Sequence, residues 1–157
     1  MTNTVIKKAE QIAEDFLQET AKDSYQILGK GIVNEVCVVE TNSNKVVIRM
    51  NSKDTYPTFL KEKWCIEQAL AAGIPSPEVL SVGIFGETAY MIQTFVDGDN
   101  GLDSPKHRDQ IWRKLGEYLH IIHNIPVKGF GENLDDAGQG VFSSPPHPGS
   151  DAVGWAT

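Results

Sequence analysis

The sequence predicts an α+β fold in which five antiparallel strands form one sheet, a helix packs on that sheet, and a further helical segment follows a break. Three observations predict it. Short apolar runs separated by turn residues occur within residues 25–50 and again within residues 79–96. A helical repeat of apolar residues lies between these two groups. A run of aspartate, glycine and asparagine at 97–101 then separates the strands from the next helical repeat.

Composition and charge exclude several classes of protein. The chain has 157 residues, of which 40% are hydrophobic, enough for the core of one ordinary domain. Acidic residues outnumber basic ones by 21 to 14, the formal charge is -7, and no basic stripe is present. This balance argues against a nucleic acid partner. No apolar run approaches the ~18 residues that span a bilayer, and the first residues lack an apolar signal region, so we predict a cytoplasmic protein.

The first predicted helix covers residues 4–20. Its apolar residues recur with helical spacing at Val5, Ala9, Ile12 and Phe16. This helix therefore presents one apolar stripe to a core.

Three strand signals follow the first helix. Residues 25–28 begin the first strand, residues 35–41 form the second, and residues 45–50 form the third after an Asn-Ser-Asn turn. Glycines punctuate the connection between the first two strands, which reads Leu28-Gly29-Lys30-Gly31-Ile32-Val33-Asn34-Glu35-Val36. Cys37 in the second strand and Cys65 in the following helix have no close-spaced ligand pair, so we interpret both as reduced, buried thiols.

The helix predicted over residues 57–72 carries an acid in its apolar stripe. Steps of 100° per residue place Glu62 among Phe59, Ile66, Ala69 and Leu70. A carboxylate in such a stripe needs a cationic partner, because desolvating it alone is costly. The nearest candidate in the preceding strand is Arg49.

The second half of the chain continues the sheet and then leaves it. Residues 79–85 and 88–96 are strand signals, and the second of these carries no charge, which favours an interior strand. After the break, a helix is predicted over residues 104–124, with an apolar stripe of Ile111, Leu115, Tyr118 and Ile122. We divide the chain into a lobe (1–96), a hinge (97–103), a first helical segment (104–131) and a loosely ordered tail (132–157).

A glycine-rich hairpin, a strand cation and a helix anion in this order are typical of the nucleotide-binding half of kinase-like phosphotransferases. Glycines let backbone amides approach phosphate oxygens, the cation neutralises phosphate charge, and the acid holds the cation in place. Each feature also has a simpler interpretation: a glycine pair is commonly only a turn, and an Arg-Glu pair is commonly a structural ion pair.

The sequence resembles the N-terminal part of the aminoglycoside phosphotransferase and choline-kinase-like superfamily, from about residue 25 to residue 131. The resemblance rests on five segments in the right order. These are the glycine stretch, Val47-Ile48-Arg49, the helix through Ala72-Gly73-Ile74-Pro75-Ser76-Pro77, Met91-Ile92-Gln93-Thr94-Phe95-Val96-Asp97-Gly98, and Leu115-Gly116-Glu117-Tyr118-Leu119-His120-Ile121-Ile122-His123.

The resemblance implies a kinase-like N-lobe that binds ATP. Gly29, Gly31 and Asn34 would belong to the phosphate-covering hairpin, and Arg49 would face the phosphates with Glu62 as its partner. Gln93, Thr94 and Phe95 would form the hinge edge, where backbone groups receive the adenine. Arginine instead of lysine keeps the charge but presents a bulkier planar fork.

The resemblance also implies residues that this sequence does not match. In the family, a His-x-Asp loop, a following asparagine and a later aspartate of the second lobe supply the base and the magnesium ligands. The nearest stretch, His147-Pro148-Gly149-Ser150-Asp151, has a different spacing and no asparagine after it. We therefore expect a truncated helical C-lobe, no catalysis by this chain alone and no catalytic or metal residue within it.

Three functional hypotheses remain open at this point. In the first, the chain is the ATP-binding part of an enzyme that phosphorylates a hydroxyl of a small, aminoglycoside-like substrate and that uses magnesium when complete. In the second, it is a non-catalytic module that binds nucleotide or protein. In the third, it is a structural remnant. In each case we expect the apolar stripe of the helix at 105–124 to be exposed or to pair with another chain.

Overall fold

The computed structural model describes residues 2–28, 33–98, 105–134 and 138–142. The helices are α1 (Thr2–Leu17), α2 (Tyr56–Ala71) and α3 (Arg108–His123), and short 3-10 turns at Lys53–Thr55 and Pro105–His107 precede α2 and α3. The strands are β1 (Asp23–Ile27), β2 (Glu35–Glu40), β3 (Lys45–Ser52), β4 (Val79–Phe85), β5 (Thr88–Thr94), β6 (Phe130–Leu134) and β7 (Gly140–Phe142).

The first five strands form one antiparallel sheet in the order β1-β2-β3-β5-β4. This confirms the predicted five-stranded sheet. Strand β5 lies between β3 and β4, as the absence of charge in its sequence predicts. It ends at Thr94, two residues earlier than expected, so Phe95 and Val96 lie outside the strand.

Helix α1 covers one face of the sheet. Its residues Ala9, Ile12 and Ala13 are buried against apolar side chains of β2, β3 and β5. The sheet contributes Cys37, Val39, Val46, Ile48, Met50 and Ile92 to this core. Lys8 fixes the helix further by donating a hydrogen bond from Nζ to Thr88 Oγ1 over 3.0 Å. The predicted apolar stripe is thus the packed face, except that Phe16 near its end is exposed.

Helix α2 packs on the opposite face, which we call the α2 face. Phe59 is its buried anchor, in a cluster with Ala89 and Met91 of β5 and with Tyr56, Val79 and Val82 around it. Because paired residues of antiparallel strands share a face, the strand register defines two rows across the α2 face. One row is Ile27, Val36, Arg49, Met91 and Val82, and the other is Tyr25, Val38, Val47, Gln93 and Val79.

The two thiols have different environments. Cys37 is fully buried, and burial raises the pKa of its thiol to about 11. Cys65 is exposed on α2, so the prediction that both thiols are buried is wrong for Cys65. The reason is geometric: α2 covers the sheet with one stripe only, and Cys65 lies on its other side. Neither cysteine forms a disulfide in the structure.

Helix α3 carries several large apolar side chains that nothing in the described chain covers. Trp112 is 58% exposed and Leu119 is 53% exposed, and Leu115 and Ile122 are also exposed. An open groove of about 550 Å³ lies between the C-terminal ends of α2 and α3, lined in part by Gln68 and His120. Among the described residues, no helix is both long enough and apolar enough to cross a membrane.

A two-stranded hairpin, β6–β7, follows α3 where the sequence indicated no regular structure. It lies beside α2: Lys61 Nζ donates a hydrogen bond to the carbonyl oxygen of Gly131 over 3.3 Å. A Cβ on Gly138 would approach the Trp64 indole nitrogen to 3.0 Å, so only glycine allows this contact without displacement. Backbone pairing of β6 with β7 and contact with α2 define the hairpin. Neither produces a periodic apolar pattern in the sequence. Residues 135–137 and 143–157 of the predicted tail lie outside the described residues.

Candidate functional site

An ion pair between Arg49 of β3 and Glu62 of α2 lies at the centre of the α2 face. Both guanidinium Nη atoms donate to the carboxylate, Nη1 to Oε1 in a short contact and Nη2 to Oε2 over 3.1 Å. The side chains are 21% and 34% exposed, respectively. The pair that helix periodicity and strand alternation predicted is therefore present, in the two-pronged geometry that arginine favours with carboxylates.

Apolar and soft groups hold the guanidinium in one orientation. Nη1 also contacts Met91 Sδ over 3.8 Å, and Arg49 Cζ lies 5.6 Å from the centre of the Phe59 ring. A guanidinium has five N–H donors, and the contacts described here occupy three of them. The remaining donors and the partly exposed side chain leave Arg49 able to bind an anion without releasing Glu62.

The glycine stretch reaches the site through its last residues. Gly29 and Gly31 lie outside the described residues, so the structure does not place them. Asn34 is described and half-buried, and its Oδ1 accepts a hydrogen bond from Asn51 Nδ2 over 2.9 Å. Asn51 Nδ2 also donates to the carbonyl oxygen of Val33 over 3.1 Å. Asn51 thus ties the end of the glycine stretch to β3, two residues after Arg49 and on the same strand face.

Asn51 was not identified from the sequence. Strand alternation could have placed it on the face of Arg49, but its contacts with Val33 and Asn34 depend on how β2 returns along β3.

We expect Asn51→Ala to lower the free energy of unfolding by about 1 kcal/mol, because two hydrogen bonds to the loop are lost while their partners stay accessible to water. Urea denaturation measures the difference.

Ser52→Ala is the matched control for Asn51→Ala. Ser52 is the next residue, is exposed, and contributes its backbone but no side-chain hydrogen bond to this network. Its substitution should change the free energy of unfolding by less than about 0.5 kcal/mol. Equal effects of the two substitutions would show that the side chain of Asn51 does not hold the loop.

An apolar floor lies beside the ion pair. Val36 and Val47 are half-buried on the α2 face, and Ile27 and Tyr25 on the neighbouring strand β1 are exposed. On this same face, helix α2 contacts β4 and β5, near the edge of the sheet that lies opposite β1. A flat apolar ligand can therefore lie on β1–β3 with a polar end at Arg49, which is the chemistry that binding of a base and its phosphates requires.

The three residues predicted for the hinge edge differ in their surroundings. Gln93 is buried on the α2 face, where it pairs across the sheet with Val47. The backbone N–H of Thr94 donates to the carbonyl oxygen of Glu78 over 3.0 Å, and Thr94 Oγ1 accepts from the Glu78 N–H over 2.9 Å. The Thr94 N–H is therefore already used within the protein. The Phe95 ring lies under Lys45, 4.4 Å from Nζ.

The described part of the chain does not supply a metal site. No group of three His, Cys, Asp or Glu side chains among the described residues is arranged to hold a metal ion. The site therefore consists of a cation with its acid partner, an apolar floor and an anchored loop end.

Comparison with known proteins identifies a family for this chain. The model of a phosphotransferase enzyme family matches residues 24–145. No match is found among curated protein sequences.

Several solved structures share the fold. Aminoglycoside phosphotransferase APH(4)-Ia is 21% identical, with a TM-score of 0.67 over 90% of this chain and 47% of that one. A thermostable mutant of it, in a ternary complex with ADP and hygromycin B, is 22% identical, with a TM-score of 0.66 over 87% of this chain and 46% of that one. Spectinomycin phosphotransferase APH(9)-Ia, in complex with ADP and spectinomycin, is 15% identical, with a TM-score of 0.62 over 78% of this chain and 38% of that one. This chain therefore spans about half the length, or less, of these structures.

Proposed function

This chain belongs to the phosphotransferase enzyme family, and on that premise we propose that it binds ATP on the α2 face as the nucleotide-binding part of a small-molecule kinase. The phosphates lie at Arg49 under the glycine stretch that includes Gly29, Gly31 and Asn34. The adenine lies on the apolar floor next to the segment Gln93 to Phe95.

The observation that carries the proposal is the bidentate Arg49–Glu62 pair. A structural ion pair needs only its two members, whereas this cation is partly exposed, has donors that no described residue uses, and lies beside an apolar floor. Glu62 fixes the direction of the guanidinium before a ligand arrives, so that little side-chain entropy is lost when phosphate binds. Positioning and charge stabilisation of this kind supply most of the catalysis of phosphoryl transfer.

We infer the substrate class from the relatives and from the chemistry of the family. Their structures contain ADP together with hygromycin B or spectinomycin. By analogy, the complete protein would transfer the γ-phosphate of ATP to a hydroxyl of a small, aminoglycoside-like substrate. We assign only nucleotide binding to this chain, because the sequence has no match to the base and magnesium-binding motifs that the family resemblance implies.

A calorimetric titration of this chain with ATP, with and without magnesium, tests the proposal. We expect saturable binding at one site. Absence of any binding under both conditions would contradict it, and would favour a structural remnant. A chain that binds ATP but transfers phosphate to none of the hydroxyl substrates tested would also fit a non-catalytic nucleotide-binding module. The titration therefore tests nucleotide binding and does not test turnover.

We also propose that two copies of the chain associate through α3. The support is the exposed apolar side of this helix, where Trp112 and Leu119 are each more than half exposed. We expect light scattering at high protein concentration to give the mass of a dimer, and Leu119→Glu to give a monomer, because the charge cannot be buried in such a contact. A wild-type monomer at high concentration, with α3 helical, would contradict this proposal.

A further inference from the structure

The β6–β7 hairpin contacts α2 at residues on either side of Glu62. Lys61, which precedes Glu62, donates a hydrogen bond from Nζ to the carbonyl oxygen of Gly131 over 3.3 Å. Trp64, which follows Glu62 by two residues, lies so close to Gly138 that a Cβ there would approach the indole nitrogen to 3.0 Å. The turn of α2 that carries Glu62 is therefore the turn that the hairpin contacts.

Helix α2 lies between the sheet and this hairpin. Steps of 100° per residue put Phe59 and Glu62 about 60° apart, on the side that contacts the sheet. Lys61 and Trp64 lie roughly opposite, about 160° around the helix. Within α2, all of whose residues the structure describes, only Phe59 is fully buried. A single buried anchor fixes the helix at one turn, so the contacts from the opposite side help to fix the orientation of the following turn, which carries Glu62.

The hairpin is closed next to these contacts. The Gly140 N–H donates to the carbonyl oxygen of Lys128 over 2.9 Å. A Cβ on Gly129 would lie 2.2 Å from the carbonyl oxygen of Gly140, so only glycine permits this approach of the two backbone segments. The antiparallel register then joins residues 130 and 142 and residues 134 and 140. Because its two strands are paired, the hairpin can support α2 as one unit.

We propose that the β6–β7 hairpin positions Glu62, and through it the Arg49 guanidinium, for the phosphates of a nucleotide. This inference rests on the proposed function and goes further, because it makes a segment beyond the break at residues 97–101 part of what sets phosphate affinity. Lys61 and Trp64 are positioning residues, since each acts through Glu62. A guanidinium that is already oriented loses less side-chain entropy when phosphate binds, so weakening the hairpin contacts should weaken phosphate binding.

The first test places an asparagine at Gly138 and, as its control, at Gly86. Both glycines have left-handed φ angles, +73° and +60°, which asparagine tolerates better than most residues. A side chain at Gly138 meets the Trp64 indole, whereas a Cβ at Gly86 meets nothing within 4 Å. We expect Gly138→Asn to weaken ATP binding about three- to tenfold in calorimetric titration, the range for the ordering of one long side chain. Gly86→Asn should leave the affinity within about 1.5-fold.

Lys61→Met and Lys63→Met form a charge-matched pair. Each removes one positive charge from α2 next to Glu62, but Lys61 contacts the hairpin whereas Lys63 pairs with Glu67 one turn along the helix. We expect Lys61→Met to weaken ATP binding about two- to threefold and Lys63→Met to leave it within about 1.5-fold. Equal losses in the two variants would show that the charge, and not contact with the hairpin, affects the site, and would overturn the inference. This pair also decides the question if Gly138→Asn does not fold.

Adenosine and an Arg49→Ala background separate positioning from damage to the fold. Adenosine lacks phosphates, so Gly138→Asn should change its binding by less than about 1.5-fold. In Arg49→Ala the phosphate contact is already lost, so adding Gly138→Asn should also change ATP affinity by less than about 1.5-fold.

The remaining outcomes also decide the question. Unchanged ATP affinity in both Gly138→Asn and Lys61→Met, equal losses for ATP and adenosine, or additive losses with Arg49→Ala would each overturn the inference, while ATP binding by the wild type upholds the proposed function. No binding of ATP to the wild type is a different result, because it overturns the proposed function itself and this inference with it.

Discussion

Arg49→Ala should weaken ATP binding to this chain by roughly 10- to 100-fold while changing adenosine binding by less than about threefold. The substitution removes charge-assisted hydrogen bonds to phosphate, each of which contributes about 1.5–3 kcal/mol. Adenosine has the base and ribose but no phosphate, so it reports on the apolar floor alone. Calorimetric titration with both ligands separates the phosphate contribution from any general damage to the site.

Two further variants sharpen the interpretation of Arg49→Ala. Arg49→Lys keeps the charge but loses the fork that binds Glu62 through two nitrogens, so it should lie between wild type and alanine. Lys53→Ala removes the same formal charge from an exposed ion pair with Glu87 and should leave ATP affinity within about twofold. Equal losses for ATP and adenosine in Arg49→Ala would show that the residue acts through the fold and not on phosphate.

Phe59→Ala should lower the free energy of unfolding by about 3–5 kcal/mol, the largest stability effect that we expect in this chain. Phe59 is 1% exposed and anchors α2 on β5 through Ala89 and Met91. Its removal leaves a cavity between helix and sheet that neighbouring side chains fill only in part. Urea denaturation followed by circular dichroism measures the loss.

Leu60→Ala is the matched control for Phe59→Ala. Leu60 is the next residue on α2 and is exposed, so its truncation should cost less than about 1 kcal/mol. A comparable cost for both variants would contradict the assignment of Phe59 as the anchor of α2. Because the Phe59 ring also lies under the Arg49 guanidinium, loss of the anchor should loosen the ion pair as well as the helix.

The Arg49–Glu62 ion pair shows how much of the site local sequence patterns can predict. A helical period of 3.6 residues put Glu62 in the apolar stripe, and a strand period of two put Arg49 on one face of β3. Both are consequences of backbone geometry that any helix or strand must obey. The cost of burying a carboxylate alone then required the two side chains to meet, and they do so in the structure. Their role toward a nucleotide stays a prediction.

The surroundings of individual side chains were harder to predict from the sequence. Cys65 occupies a helix that packs on the sheet, yet it lies on the exposed side. Asn51 contacts Asn34 because β2 and β3 return along one another, at a separation of 17 residues. Neither the exposure of Cys65 nor the contact of Asn51 with Asn34 produces a periodic pattern in the sequence, because each depends on which element packs over which face.

The sequence by itself determined the order of the three helices and the first five strands, the five-stranded antiparallel sheet and the partnership of Arg49 with Glu62, because each follows from repeats of a few residues and from the cost of an unpaired buried charge. Only the tertiary structure decided that Gln93 is buried on the α2 face, that Thr94 has already used its N–H, and that the β6–β7 hairpin lies against α2. These features depend on contacts between segments far apart in the chain, and burial and backbone pairing across such distances are properties of the assembled fold.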